Sequence, residues 1–247
     1  MAKISWVLAS DIDGTLVGHG GEPDLVRFLR DRPQIGLVYL TGRTRPNAEV
    51  LLDSHGFPQP LALATDLGAD VYWGPSLSLD EAWAFQQRRD WSPRQVVHAL
   101  DAVDGVNYQS RCSYWRLAFY ARDLTAVGEA RAHLVQQGIV CRTLFDEDAQ
   151  RLDVVPRSAL KGRALKYILN QLHIRAQQCF VAGDAENDGD LLSGRYHGVV
   201  VANGSRSFKE KLPDTIMRSG YPGAQGVLDG LSRFVKQSDW VSREHAG

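Results

Sequence analysis

The strongest constraint on this chain is a repeating pattern in which short apolar runs, each stopped by a polar turn, alternate with stretches of helical periodicity. Ile4 to Ala9 reads as a strand ending at Ser10-Asp11, because an apolar run without polar alternation suits a strand buried on both faces of a parallel sheet. Leu25, Phe28 and Leu29 give helical spacing within Pro23 to Arg32, and Gly36 to Leu40 reads as a second strand, ending in Thr41-Gly42-Arg43. A helix from Arg45 to His55 is stopped by Gly56 and Pro58, and strands at Leu61 to Ala64 and Asp70 to Trp73 follow. Such alternation predicts a doubly wound, mostly parallel α/β sheet.

From about Ser78 the character changes, with tryptophans at 83, 91 and 115 and a Gln- and Arg-rich stretch between them. Helix Pro93 to Val103, strands Val106 to Gln109 and Trp115 to Tyr120, helix Leu124 to Gln137, and strands Ile139 to Phe145 and Arg151 to Val155 spell helix-strand-strand twice. That doubled unit predicts a small antiparallel sheet covered on one face by two helices, with the tryptophans packing its core. After Pro156 the first pattern resumes: helix Lys161 to Leu172, strand Cys179 to Ala182, short helix Asp188 to Ser193, strand Gly198 to Val201 and a last helix Ala224 to Phe234. The expected division is a core from residues 1–78 and 158–247, interrupted by an α+β domain at 79–157.

Composition narrows the function. Among 247 residues, 28 Lys and Arg stand against 29 Asp and Glu, a formal charge of -1, which offers no general attraction to nucleic acid or an anionic membrane. Any anion must therefore be held locally. Cys112, Cys141 and Cys179 are odd in number and widely spaced, against both a disulfide framework and a cysteine zinc site. No apolar run approaches the roughly 18 to 20 residues of a membrane helix. The expectation is a soluble, cytoplasmic, monomeric protein with no nucleic-acid or membrane partner.

Two acidic clusters carry the chemistry. Asp11-Ile12-Asp13-Gly14-Thr15 follows the first strand, and Gly183-Asp184-Ala185-Glu186-Asn187-Asp188 follows another. Ligands of open α/β sheets bind beyond the carboxyl ends of strands, so both clusters should face one crevice. Converging carboxylates need a cation, and magnesium, a hard ion that takes carboxylates, water and phosphate oxygens, suits them. Thr41 with the Gly42 amide, and Lys161 at a helix start, supply donors for a phosphate.

The order Asp-x-Asp, Thr-Gly-Arg, Lys-Gly, Gly-Asp-x-x-Asn-Asp resembles the four motifs of the haloacid dehalogenase superfamily, over nearly the whole chain. The inserted domain resembles the second-position (type IIB) cap of the subgroup holding sucrose-phosphate phosphatases, mannosyl-phosphoglycerate phosphatases and Cof-type sugar phosphatases, the first being most similar. The resemblance implies a Rossmann-like core with an α+β cap. It implies that Asp11 is the nucleophile that becomes an aspartyl phosphate and that Asp13 is the general acid and then the base. Thr41, Gly42, Lys161 and Asn187 would handle phosphate. Magnesium would be held by Asp11, Asp13 through its backbone carbonyl, Asp184 and Asp188, the last with Asn187 in the outer shell.

The implied substrate is a small phosphorylated carbohydrate. Sucrose 6-phosphate comes first, on the compact cap, Leu152-Asp153-Val154-Val155-Pro156 and Gly223-Ala224. Candidate sugar contacts are Arg45, Asn47 and Asp66 of the core and Arg116, Asp146 and Glu147 of the cap. Mannosyl-3-phosphoglycerate is the alternative and would need a further cation such as Arg116 or Arg142. The remaining rivals are a phosphomutase and a non-catalytic sugar-phosphate binding module tied to a glycosyltransferase of the same pathway. Glu186, where the superfamily often has a small residue, is a departure without an assigned role.

Overall fold

The structure, a computed structural model, describes residues 4–147 and 149–244. The chain divides into two compact units, one formed by residues up to Leu79 and from Leu160 on, the other by Asp80–Ala159.

The first unit is built on an eight-stranded sheet. In chain order its strands are β1 (Trp6–Ser10), β2 (Ile35–Leu40), β3 (Ala62–Thr65), β4 (Asp70–Trp73) and β5 (Ser78–Leu79) before the second unit, which contains β6 to β9. After it come β10 (Cys179–Gly183), β11 (His197–Val200) and β12 (Ile216–Arg218). Their spatial order is β12-β11-β10-β1-β2-β3-β4-β5. All neighbours from β12 to β3 pair in parallel, and β4 and β5 close the edge antiparallel. β2, β3 and β10 are buried along their whole length, which is why they read as unbroken apolar runs.

Helices α1 (Glu22–Arg30), α2 (Arg45–Ser54), α6 (Lys161–Gln171), α7 (Arg206–Lys211) and α8 (Gly223–Glu244) belong to this unit, with α3 to α5 in the other. Leu8, Leu37, Phe180 and Val199 of the sheet share one cluster with Leu25 of α1 and Val227 and Leu231 of α8. From β1 the chain winds outward through β2 and β3, then returns on the other side through β10 to β12. The switch point therefore lies between β1 and β10, where a crevice opens beyond the strand ends.

The second unit contains α3 (Glu81–Arg88), α4 (Pro93–Leu100), β6 (Val106–Arg111), β7 (Leu117–Ala121), α5 (Leu124–Gln136), β8 (Cys141–Asp146) and β9 (Arg151–Pro156). Its sheet is antiparallel, ordered β6-β7-β9-β8. Each helix starts at a side-chain cap: Asp80 accepts from Trp83 N–H, Ser92 from Gln95 N–H and Asp123 from Ala126 N–H. Trp83, Trp91 and Trp115 are buried, as the sequence suggests, and Trp91 Nε1 donates to the Tyr114 carbonyl at 2.9 Å.

Four elements differ from what the sequence predicts. The helix expected over Asp188 to Ser193 is instead a single 3-10 turn, Glu186–Asp188, because Asp188 turns its carboxylate back onto the N–H groups of Asp184 and Ala185. α3, unanticipated, buries only Trp83, Ala84 and Gln87, too sparse a stripe to show as periodicity. α7 and β12 are likewise too short to register. Among the described residues no helix is long and apolar enough to cross a membrane.

Candidate active site

β1 delivers Asp11 to the switch point. The Asp11 N–H bonds the Ala182 carbonyl of β10, and the chain then reverses sharply, with Gly14 N–H on Val17 O and Leu16 N–H on Ile12 O. Ile12 and Leu16, fully buried, anchor this turn. Gly14 has φ +79°, and a side chain there would run into the Asp184 carboxylate, so the turn needs glycine for both conformation and space.

Lys161, the first residue of α6, enters the same place. It is 1% exposed, and its Nζ donates to Asp11 Oδ1 at 2.5 Å and to Asp188 Oδ1 at 2.7 Å. Burial is the largest influence on Asp11 and pushes its carboxyl up to about 8, helped by Asp188 and Asp184 and opposed by Lys161. Burial pushes Lys161 down, but the carboxylates of Asp11 and Asp188 outweigh it and the net direction is up. Asp184 is also raised, by burial and by Asp188, against a hydrogen bond from Thr15 Oγ1 to its Oδ1 at 3.0 Å. The ammonium is thus firmly charged, whereas the carboxylates crowd one another.

That crowding defines what the cluster can bind. Asp11, Asp184 and Asp188 each bring a carboxylate oxygen within 4.8 Å of the others, and the single ammonium of Lys161 leaves an excess of negative charge. On the same turn, Asn187 Oδ1 is buried without a hydrogen-bond partner among the described residues. An all-oxygen set with surplus charge and an orphaned acceptor fits a hard divalent cation such as magnesium. The Asn187 oxygen, an acceptor, suits a cation or bound water, while the Nδ2 of the same amide is a donor of the kind that a phosphate oxygen takes.

Thr41, at the end of β2, is fully buried and accepts from Arg43 N–H at 3.0 Å; Gly42 beside it is half-buried. Asp13 is exposed and grips Arg43: Nε donates to both carboxylate oxygens at 2.9 and 2.8 Å, and a terminal guanidinium nitrogen to one at 2.5 Å. Such a fork fixes the carboxylate's orientation as a lysine could not. Arg43, Thr15 and Asn203 carry site geometry that the sequence reading left without roles. Arg43 and Thr15 stood inside recognised motifs. Asn203 Nδ2 donates to the Gly14 carbonyl at 2.9 Å and Asp184 Oδ2 at 3.4 Å, and its Oδ1 accepts from Gly223 N–H at 2.9 Å; nothing local in the sequence signals this.

The six sugar-contact candidates separate. Arg45 pairs with Glu49 and lies 5.1 Å over the Tyr72 ring. Asn47 is exposed on α2. Asp66 is 5% exposed with φ +49°, and its buried turn offers little surface to a sugar. Arg116, Asp146 and Glu147 belong to the second unit, where Arg116 pairs with Asp153 at 3.5 Å. Asp146 accepts from Ala149 N–H, and Glu147 is exposed. Glu186 is exposed as well.

A family model described as sucrose-6F-phosphate phosphohydrolase matches residues 4–235. The chain belongs to this family. It is a sugar phosphatase of the haloacid dehalogenase superfamily, with a mostly parallel core sheet and a separate antiparallel cap sheet. Mannosylfructose-phosphate phosphatase of Agrobacterium fabrum (strain C58 / ATCC 33970) is 28% identical, covering 92% of this chain and 96% of that one. Sucrose-phosphatase 1 of Nicotiana tabacum is 24% identical over 92% of this chain, which spans only 59% of the plant protein's length. The structure of the sucrose-phosphatase from Synechocystis sp. PCC6803 in complex with sucrose and phosphate matches with a TM-score of 0.82 and 24% identity, over 94% of this chain and 98% of that one. At that identity the likeness speaks for the fold.

Proposed function

We propose that this chain is a magnesium-dependent phosphomonoester hydrolase that works through an aspartyl phosphate, with sucrose 6-phosphate as its first substrate. The observation that carries the reading is the arrangement around Lys161: a buried ammonium shared by Asp11 and Asp188, with Asp13 oriented beside them by Arg43. In this reading Asp11 attacks the phosphorus, and Asp13 protonates the leaving sugar oxygen and then takes a proton from the attacking water. Arg43 aims the Asp13 carboxylate. Thr41, Gly42 and Lys161 hold phosphate oxygens. Asp11, Asp184, Asp188 and the Asp13 carbonyl would hold magnesium, with Asn187 beside them, and the ion's charge would stabilise Asp11 as the carboxylate that burial disfavours.

The family model and the plant relative support sucrose 6-phosphate. A second reading, mannosylfructose phosphate, is favoured by the Agrobacterium phosphatase, which is matched over nearly its whole length. Mannosyl-3-phosphoglycerate fits less well. The two cap residues that could supply the one further cation are both engaged, Arg116 with Asp153 and Arg142 with the Ala159 carbonyl at 2.9 Å. Specificity constants for sucrose 6-phosphate, mannosylfructose phosphate, mannosyl-3-phosphoglycerate, trehalose 6-phosphate and hexose phosphates under one magnesium condition test the assignment. Sucrose 6-phosphate is expected to lead by more than about tenfold, roughly 1.4 kcal/mol in transition-state binding; a smaller margin overturns the choice of sugar and leaves the phosphatase chemistry standing. A cytoplasmic location and a glycosyltransferase of the same pathway as partner belong to the same proposal.

A further inference from the structure

Helix α6 begins at Lys161 without a local cap: the residue before it, Leu160, is extended and has no side chain that can accept a hydrogen bond. The first N–H groups of a helix have no partner within the helix. One of them, Gly162 N–H, is met from another part of the chain by Asp190 Oδ2 at 2.7 Å. Asp190 lies two residues beyond Asp188, whose Oδ1 accepts from Lys161 Nζ. A single turn, 184–190, therefore holds Lys161 at both ends, by its ammonium tip and by the backbone at its base.

The turn is well placed to do this. Asp188 Oδ2 accepts from the N–H groups of Asp184 and Ala185, which ties the carboxylate to the loop that carries it. At the base, the backbones approach so closely that a side chain on Gly162 would collide with the Asp190 carbonyl oxygen. A carboxylate at a helix N-terminus is favoured by the helix dipole as well as by the hydrogen bond. The two holds differ in one respect. A phosphate bound by Lys161 must share the ammonium with Asp188, whereas the grip of Asp190 on the helix start is unaffected by what the ammonium touches. Four rotatable bonds separate Nζ from the backbone, so with the tip shared, the base limits where the charge can sit.

We propose that Asp190 is a positioning residue for phosphoryl transfer, fixing the first turn of α6 and through it the reach of Lys161 to Asp11 and the phosphate. This rests on the reading of Lys161 as a phosphate-holding cation of a phosphatase. A helix cap with no such role would lower thermal stability and leave phosphate handling alone.

The test uses the full chain with magnesium, comparing wild type with Asp190→Ala and Asp190→Asn in kcat and KM for sucrose 6-phosphate, in the dissociation constant of inorganic phosphate by calorimetry, and in melting temperature. Asp190→Ala is expected to lower kcat and to weaken phosphate binding by about tenfold each, and Asp190→Asn, whose amide oxygen can still accept from Gly162, to recover both to within about threefold. In wild type the Gly162 amide should exchange slowly with deuterium, unlike an open helix start. Asp190→Ala with kcat and phosphate affinity within about twofold of wild type overturns the proposal whatever its melting temperature, as does Asp190→Asn as impaired as the alanine variant. If the alanine variant does not fold, the asparagine variant and the amide decide, and fast exchange at Gly162 overturns the contact. A wild-type chain that turns over no sugar phosphate would remove the phosphatase reading instead, while phosphate affinity and amide exchange would still judge Asp190.

Discussion

Asp11 is 4% exposed, so replacing it removes the acid without opening the fold to water. Asp11→Asn is expected to lower kcat by at least about a thousandfold, because an amide cannot attack phosphorus. A near wild-type rate, measured with any sugar phosphate, would remove the covalent mechanism. Arg43 acts one step further out, by holding Asp13 in a fork. Arg43→Lys should slow sugar-phosphate hydrolysis by about ten- to a hundredfold and p-nitrophenyl phosphate much less, since nitrophenolate leaves without a proton. Equal losses on both substrates would mean that Arg43 does not work through Asp13. Asn203 touches Asp184 and the Gly14 carbonyl, and outer partners of ligands typically matter about 10- to 100-fold in metal affinity. Asn203→Ala should raise the magnesium dissociation constant accordingly in a calorimetric titration; an unchanged constant would confine Asn203 to holding the backbone at Gly14 and Gly223.

Between β3 and β4 the turn Asp66–Gly68 illustrates how an element serves a site through the backbone of a neighbouring loop. Asp66 and Leu67 both have positive φ, at 49° and 62°, a conformation that costs a residue other than glycine about 1–2 kcal/mol and that aspartate tolerates better than most. In return, Asp66 N–H meets the Arg43 carbonyl and Leu67 N–H meets the Thr41 carbonyl, so this turn holds the Thr41-Gly42-Arg43 loop. Asp66→Val should lower the melting temperature and reduce turnover together, while Asp66→Asn, which accepts positive φ readily, should stay close to wild type in both. Loss of turnover in Asp66→Asn with an unchanged melting temperature would instead point to direct sugar contact.

At the scale of the molecule, every carboxylate of the acidic cluster lies in the first unit. Magnesium at about a hundred times its dissociation constant should add about 2.7 kcal/mol of stability, lost on adding chelator. Slowed hydrogen exchange should appear first in peptides containing 11–15 and 184–188, because these carry the proposed ligands. No change in either measurement would separate this chain's chemistry from magnesium, and full activity in chelator would do so directly.

The sequence alone determined the alternation of strands and helices, the inserted doubled unit and the residues of the motifs, because these are local: a strand buried on both faces must be apolar throughout, and a helix stripe repeats every three or four residues. β4, Asp70–Trp73, falls where the pattern placed it, and α6 starts at Lys161 as expected. Their places at strand and helix ends already brought Asp11, Lys161 and Asp184 to one crevice, but the tertiary structure alone decided which atoms pair there and which further residues join them. Lys161 meets Asp11 at a distance of 150 positions, and Asn203 meets Gly14 across 189; such pairs leave no periodic trace. It also decided that Asp188 ends a 3-10 turn rather than starting a helix. Its carboxylate accepts from two backbone N–H groups and shares the buried Lys161 ammonium with Asp11, three charge-assisted partners that it would lose if it stood exposed on a helix surface.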